Sequence, residues 1–320
     1  MVGVYGMVHY STQQRMREFG IRSATTFTGM ALLWYRWPVP HTEPSPRANS
    51  RSLAENAWAA VRELLDRQLS PLGLRAMAAL DPKPGERVLD VGCGAGQTVV
   101  QLAEAVGPAG EVVGIDIAPL LLEIARERAA THANVSFIEG DAQTSCLQAE
   151  SFDAIFSRFG VMAFGDPVEA FGNLHQALKP AGRLAFVCWR SLTENELDLL
   201  PLRAAGLEGA VDMTPFAFED PARVRGVLRA AGFDEIAVEP HEQNVGSGGL
   251  EAMLSVVMTV GPLGKILREA PSLRGHRGFG WGRGVGVSNL TTSSSTPRNQ
   301  SGGGAACCAR DQPRATRQAR

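Results

Sequence analysis

A single eleven-residue stretch, Val-Leu-Asp-Val-Gly-Cys-Gly-Ala-Gly-Gln-Thr at residues 88–98, constrains the fold of this chain more than any other part of it. The apolar run Val88, Leu89 and Val91 reads as a buried strand, and the glycines after it read as a tight turn that opens a helix near Ala95. Strand, turn and helix in that order build a nucleotide site. Gly92, Gly94 and Gly96 lack a Cβ, so the backbone there can take positive φ and a ligand can approach the peptide planes closely. The free amides at the start of the helix favour a polar or anionic ligand group. The spacing narrows the ligand further. A dinucleotide fingerprint, Gly-x-Gly-x-x-Gly, would put its third glycine at position 97, where the chain has Gln97. A phosphate-cradling loop would end in Gly-Lys-Ser/Thr, and no lysine lies between Lys83 and Lys179, which argues against ATP or GTP.

The rest of the chain suits a fold of that kind. Its 320 residues hold one large domain or two small ones, and 44% hydrophobic content supports a real core. A net charge of -2 advertises neither nucleic acid nor an anionic membrane as partner. The five cysteines (Cys93, Cys146, Cys188, Cys307 and Cys308) form no Cys-x-x-Cys pair and have no histidine at a zinc-binding spacing, so no metal site is expected. Reduced thiols in a cytoplasmic protein are the expectation. The apolar run at residues 30–35 falls far short of the roughly 20 residues that span a bilayer.

Composition divides the chain into three parts: a poorly ordered N-terminal extension over residues 1–51, a folded domain over 52–270, and a basic tail rich in Gly, Ser and Arg over 271–320. The extension ends in Pro38, Pro40, Pro44 and Pro46; its Phe27, Trp34, Tyr35 and Trp37 are candidates for a lid over a ligand. The tail carries eight arginines from residue 272 onward against one acidic residue, Asp311. A shifted reading frame of GC-rich coding DNA gives such a composition. The competing reading is a disordered basic tail that contacts phosphates.

Within the middle part, Ser52 and Glu55 read as a capping box for an amphipathic helix over 52–69, followed by a short helix over 72–80. Gly107 and Pro108 end the helix that follows the glycine turn. A second strand over 112–116 ends in Asp116, about 20 residues beyond Gly96, where a nucleotide fold places an acid for the ribose hydroxyls. Asp116 reads equally as a cap for the helix beginning at Pro119, and one carboxylate can do both. A third strand over 135–138 leads to Glu139-Gly140-Asp141-Ala142, and a fourth over 152–157 leads to the loop Arg158-Phe159-Gly160-Val161-Met162-Ala163-Phe164. Ligands of open parallel sheets lie beyond the carboxyl ends of the strands. Arg158, Phe159, Met162 and Phe164, with Trp189 at the end of a fifth strand over 183–189, are therefore candidates for an acceptor pocket, or equally for core. A helix over 221–231 and a sixth strand over 236–238 follow, then one or two helices over 250–268. His241, near the carboxyl end of that strand, is a weak candidate for a catalytic base, since a lone histidine is most often an ordinary surface residue.

The stretch Val-Leu-Asp-Val-Gly-Cys-Gly-Ala-Gly resembles the first motif of class I S-adenosylmethionine (SAM) dependent methyltransferases, and Leu-Lys-Pro-Ala-Gly-Arg-Leu at 178–184 resembles the usual approach to their fifth strand. The resemblance spans about 58–263 and is closest to the small-molecule branch that includes quinone-ring C-methyltransferases. It implies an α/β, Rossmann-like doubly wound sheet, mostly parallel, with helices on both faces and SAM as cofactor. It also implies cofactor-binding roles for Asp90, Gly92, Gly94, Gly96, Asp116, Ile117, Asp141, Ala142 and Ser157, with Asp141 and the Ala142 amide at the adenine edge. The family's sheet ends with an antiparallel seventh strand beside the sixth. No segment after the sixth strand reads as that strand, so it is expected to be missing or degraded, leaving an open edge. The loop Ser-Arg-Phe-Gly at 157–160 lacks the Asn-Pro-Pro-Tyr or Asp-Pro-Pro-Tyr of enzymes that methylate nucleic acid bases. The expected partner is thus a small-molecule methyl acceptor, rather than nucleic acid or membrane. Two alternatives stay open: a SAM-binding chain with impaired catalysis, and a nicotinamide-dependent oxidoreductase, which would share the fold and Asp116.

Overall fold

The structure, a computed structural model, describes residues 2–6 and 46–270. Among the described residues seven strands form one sheet: β1 (Val2–Gly6), β2 (Arg87–Val91), β3 (Glu111–Asp116), β4 (Val135–Glu139), β5 (Phe152–Arg158), β6 (Leu178–Trp189) and β7 (Glu239–Gln243). Their order is β4-β3-β2-β5-β6-β1-β7. The run from β4 to β6 is parallel, and β1 is antiparallel to both its neighbours. The chain winds outward from β2 in one direction through β3 and β4, then returns to add β5 and β6 on the other side. A crevice therefore opens between β2 and β5, beyond their carboxyl ends.

Strand periodicity sorts the core into two layers. Val88, Val112, Ala154, Phe156, Ala185 and Val187 face one layer, while Leu89, Val91, Val113, Ile155, Leu184 and Phe186 face the other. Against the first face pack α2 (Arg62–Leu80), α3 (Gln97–Val106) and α8 (Leu250–Thr259) through Leu72, Ala76, Leu102 and Val256. Against the second pack α5 (Pro167–Ala177) and α7 (Pro221–Ala230) through Phe171, Leu174, Val224 and Leu228. With both faces covered, the central strands carry almost uninterrupted apolar residues, which is why β2 reads so clearly in the sequence.

Four expectations need correction. The seventh strand is present, supplied by the N-terminal end of the chain: β1 lies between β6 and β7, pairing Val4 with Trp189 on one side and with His241 on the other. An antiparallel slot imposes no crossover connection, so either end of a chain can fill it. The sixth strand is Glu239–Gln243 rather than 236–238. Ile236 and Val238 instead pack into the layer of α5 and α7, and the pairing falls on a polar segment at the outer edge, where Pro240 is tolerated. The Ser52–Glu55 capping box is not formed. Helix α1 runs over Pro46–Ala60, so Ser52 lies within it and its carbonyl accepts from Asn56 Nδ2 at 2.8 Å. Finally, the helix break falls at Val61 and not near Ser70; α2 continues through Pro71, because its buried stripe of Leu65, Leu69, Leu72 and Leu80 outweighs one lost backbone bond.

Helix α4 (Pro119–Arg128) follows β3, α6 (Glu196–Ala205) follows β6, and α9 (Gly261–Glu269) ends the described residues together with Ala270. Among the described residues no single helix is long and apolar enough to cross a membrane. The lid aromatics Phe27, Trp34, Tyr35 and Trp37, and the tail over 271–320, lie outside the described residues.

Candidate functional site

The turn after β2 is stitched to the end of β3. The Gly92 and Cys93 amides both donate to the Ile115 carbonyl, at 2.9 and 3.2 Å, and the Gly94 amide donates to Asp116 Oδ2 at 2.8 Å. Asp116 Oδ1 accepts from the Ala118 amide at 2.9 Å, ahead of α4. One carboxylate thus closes the glycine turn and braces the approach to α4, whose N-cap Ala118 receives no side-chain cap bond, while still lining the cavity. Burial raises its pKa above the usual carboxylate value, against the pull of those amide hydrogen bonds.

The glycines divide the labour. A Cβ on Gly92 would sit 2.5 Å from Gly160 Cα, so this position is glycine because the turn touches the loop after β5. A Cβ on Gly96 would lie 2.8 Å from Ala125 Cβ, and Gly96 caps α3 at φ 80. A Cβ on Gly94 would meet nothing within 4 Å, although Gly94 lines the cavity. Only Gly94 is therefore placed to let a ligand close on the backbone.

The cavity has a volume of about 540 Å³. Its polar end is made by Gly92, Gly94, Asp116, Ile117, Asp141 and Ala142, all expected from the sequence. Asp141 Oδ1 accepts from the Gln143 amide at 2.9 Å, and Asn173 Nδ2 donates to the Ala142 carbonyl at 2.9 Å, fixing this turn on α5. Asp90 and Ser157 are fully buried and do not line the cavity. Ser157 Oγ donates to the Val91 carbonyl at 2.8 Å and accepts from the Gly160 amide at 3.0 Å, tying the two loops together. Asp90 accepts from Thr98 Oγ1, while its Oδ1 has no partner. Burial lifts that carboxyl to about 7, opposed by Thr98 and Arg158. Cys93 lies in the turn itself, where burial with Asp90 and Asp116 close by holds its thiol well above its ordinary pKa and leaves it unreactive.

Another part of the lining is apolar. Phe159 and Trp189 stack with ring centroids 4.0 Å apart and planes 20° from parallel, and the Trp189 amide meets Met162 Sδ at 3.4 Å. Phe164 turns its ring edge-on to Phe171 at 5.9 Å, so it is wall and core at once. Arg158, expected in the acceptor pocket, lines the cavity but turns its guanidinium to α2 and α3. It donates to Gln97 Oε1 and lies 3.4 Å from Asp66 Oδ1, and Gly73 leaves room for its stem. Its charge is therefore held by Asp66 and Gln97. His241 does not line the cavity; it lies on β7 opposite Val4, so the structure does not bring it to the site.

Several cavity residues escaped the sequence reading. Trp58, Arg62 and Asp66 reach the cavity from α1 and α2, Leu197 and Asp198 from α6, and Val256, Val260 and Pro262 from α8 and α9. Helical spacing marks such residues only as one face of a helix. Nothing in it says that the face turns toward a ligand. Among the described residues, no cluster of His, Cys, Asp and Glu suits a metal ion.

Residues 82–207 match the model of a methyltransferase domain. Aklanonic acid methyltransferase DauC from Streptomyces sp. (strain C5) is 40% identical over 119 residues, covering 37% of this chain and 54% of that protein. Demethylmenaquinone methyltransferase from Staphylococcus aureus (strain JH9) is 37% identical over 108 residues, covering 34% and 45%. The chain thus spans about half the length of these curated relatives. A solved SAM-dependent methyltransferase from Aquifex aeolicus is similar at 23% identity, covering 54% of this chain and 87% of that one, with a TM-score of 0.43.

Proposed function

We propose that this chain, whose residues 82–207 match a methyltransferase domain, is a class I S-adenosylmethionine-dependent methyltransferase that transfers the methyl group of SAM to a small, largely apolar acceptor. The observation that carries the reading is one continuous cavity lined both by the glycine turn with Asp116 and by the stacked rings of Phe159 and Trp189. A nucleoside with a charged amino acid suits the first group of residues and an apolar acceptor suits the second.

The residues fit that cofactor. Open space above Gly94 admits a ligand to the backbone, and Asp116 supplies a carboxylate at the end of β3, where ribose hydroxyls can donate to it. The unpaired Oδ1 of Asp90 lies beneath the turn, poised to favour a cationic group or a bridging water above it. Asp141 and Ala142 would hold the adenine edge. Ile117, half exposed into the cavity, would cover one base face. Bound there, the cofactor supplies an electrophilic methyl group on a sulfonium. The chain then needs to hold an acceptor in line with that methyl and keep water out, both of which the Phe159, Trp189, Met162 and Phe216 walls favour.

Calorimetry with SAM, S-adenosylhomocysteine and NADH tests the reading. Heat with the first two and none with the third is expected. Binding of NADH in place of SAM would assign the fold to oxidoreduction instead.

A further inference from the structure

Asp198 is a cavity carboxyl to which the reading above gives no role. Asp198 lies in the first turn of α6, anchored by the buried Asn195, whose side-chain amide donates to the Arg190 and Ser191 carbonyls at 2.9 and 2.8 Å. The Asp198 amide donates to the Asn195 carbonyl at 3.1 Å, so the approach from β6 fixes the first turn of α6. Its Oδ1 lies against Gly261, where a Cβ would be 3.1 Å away, and Gly261 takes φ +72 to begin α9. Leu197, the chain neighbour of Asp198, and the residues flanking Gly261, Val260 and Pro262, line the same cavity. A carboxyl left without a partner in such surroundings costs folding free energy, and a chain tolerates it where a ligand completes it.

We propose that Asp198 is the proton acceptor of the reaction, and that the methyl acceptor is a planar molecule with a hydroxyl on an unsaturated carbon, its ring in the apolar lobe and its hydroxyl turned to that carboxylate. This rests on the methyl-transfer reading above. The hydroxyl proton passes to the Asp198 carboxylate and an oxygen lone pair forms the new bond to the methyl carbon. As the carbon–sulfur bond breaks, its electron pair stays on sulfur. The products are a methyl ether, a neutral thioether and a protonated Asp198, which returns its proton to water. An amine is the poorer acceptor here, because a carboxylate in an apolar wall holds it as the non-nucleophilic ammonium.

Burial alone raises the Asp198 carboxyl to about 7, where a general base is most effective near neutral pH. The charged groups on the elements packed around α6 are engaged elsewhere. Lys265 on α9 pairs with Asp212 and Glu269, and Arg268 donates to the Thr259 carbonyl. Arg190 pairs with Glu194 and Glu242, and Arg203 with Glu208. Glu251 lies at the start of α8, and Glu55, Arg62, Asp66, Asp116 and Arg158 line the same cavity.

The test compares 2-naphthol with naphthalene as probes, by calorimetry in the presence of S-adenosylhomocysteine at pH 6 and pH 8, for the wild type and Asp198→Asn. SAM binding is measured on both proteins alongside. At pH 8 the wild type is expected to prefer 2-naphthol by about tenfold, with the preference shrinking at pH 6 as the carboxyl is protonated. In Asp198→Asn the preference at pH 8 should fall to about threefold or less, and label transfer from methyl-labelled SAM to 2-naphthol should drop by about 100-fold with SAM affinity unchanged. Equal preference in the two proteins, or a wild type that binds SAM but does not distinguish the probes, overturns the inference. A wild type that fails to bind SAM removes the methyl-transfer reading itself, and the inference with it.

Discussion

Replacing Gly92 and Gly94 by alanine, one at a time, separates what the glycine turn does for the fold from what it does for a ligand. At Gly92 the added Cβ would stand 2.5 Å from Gly160 Cα, about 1 Å inside ordinary carbon–carbon contact, with φ at +69. Both partners are backbone, so no side-chain rotation relieves the overlap. Left-handed strain of about 1–2 kcal/mol and overpacking of about 1–3 kcal/mol together amount to roughly 2–5 kcal/mol. In a domain of this size that lowers the thermal midpoint by roughly 5–15 °C. At Gly94 the new methyl meets no protein atom within 4 Å, so only the strain of φ +53 remains, about 1 kcal/mol. That methyl enters the space proposed for the cofactor. Thermal denaturation and SAM calorimetry on both variants are therefore expected to give opposite patterns: Gly92→Ala unstable, and Gly94→Ala nearly as stable as wild type but at least about tenfold weaker for SAM. A Gly94→Ala protein that binds SAM as tightly as wild type would refute the assignment of that space. An undiminished midpoint in Gly92→Ala would refute the backbone contact with Gly160.

Other perturbations give further checks. Asp116→Asn, which removes the charge that the ribose hydroxyls would meet, should weaken SAM by about tenfold or more in calorimetry. Because burial raises the Asp116 pKa and only the ionised form accepts both hydroxyls, SAM affinity in the wild type should fall on acidification at a higher pH than an ordinary carboxylate would give. Asp198 has a folded pKa of about 7 against 3.8 for an ordinary aspartate, so its contribution to stability is present below about pH 4 and lost as pH rises through 7. Asp198→Asn should accordingly raise the thermal midpoint relative to wild type at pH 8 and not at pH 4; an equal shift at both would contradict the buried carboxyl. His241→Ala, on the outermost strand and away from the cavity, should leave SAM affinity and turnover within about twofold and stability within about 0.5 kcal/mol.

How much of this could be read from residue order depended on distance along the chain. Gly92, Gly94, Asp116, Asp141 and Ala142 each sit at the carboxyl end of a parallel strand, and local pattern fixes both strand and turn. Arg158 was placed in the right cavity, but its orientation depends on Asp66 and Gln97, 92 and 61 residues away. Asp198 carries no local signal at all. Its meaning comes from Gly261 and Val260, which reach it only once α9 folds against α6.

The sequence by itself determined the parallel α/β core, the glycine turn at its switch point and the type of ligand that turn can take, because those depend on periodicity, on missing Cβ atoms and on spacing within one strand–turn–helix unit. Only the tertiary structure decided which end of the chain fills the antiparallel slot beside β6, which of the expected polar residues face the cavity and which lie beneath it, and where an unpaired carboxyl meets the apolar lobe. Those outcomes follow from packing between segments far apart in the chain, and no local pattern carries them.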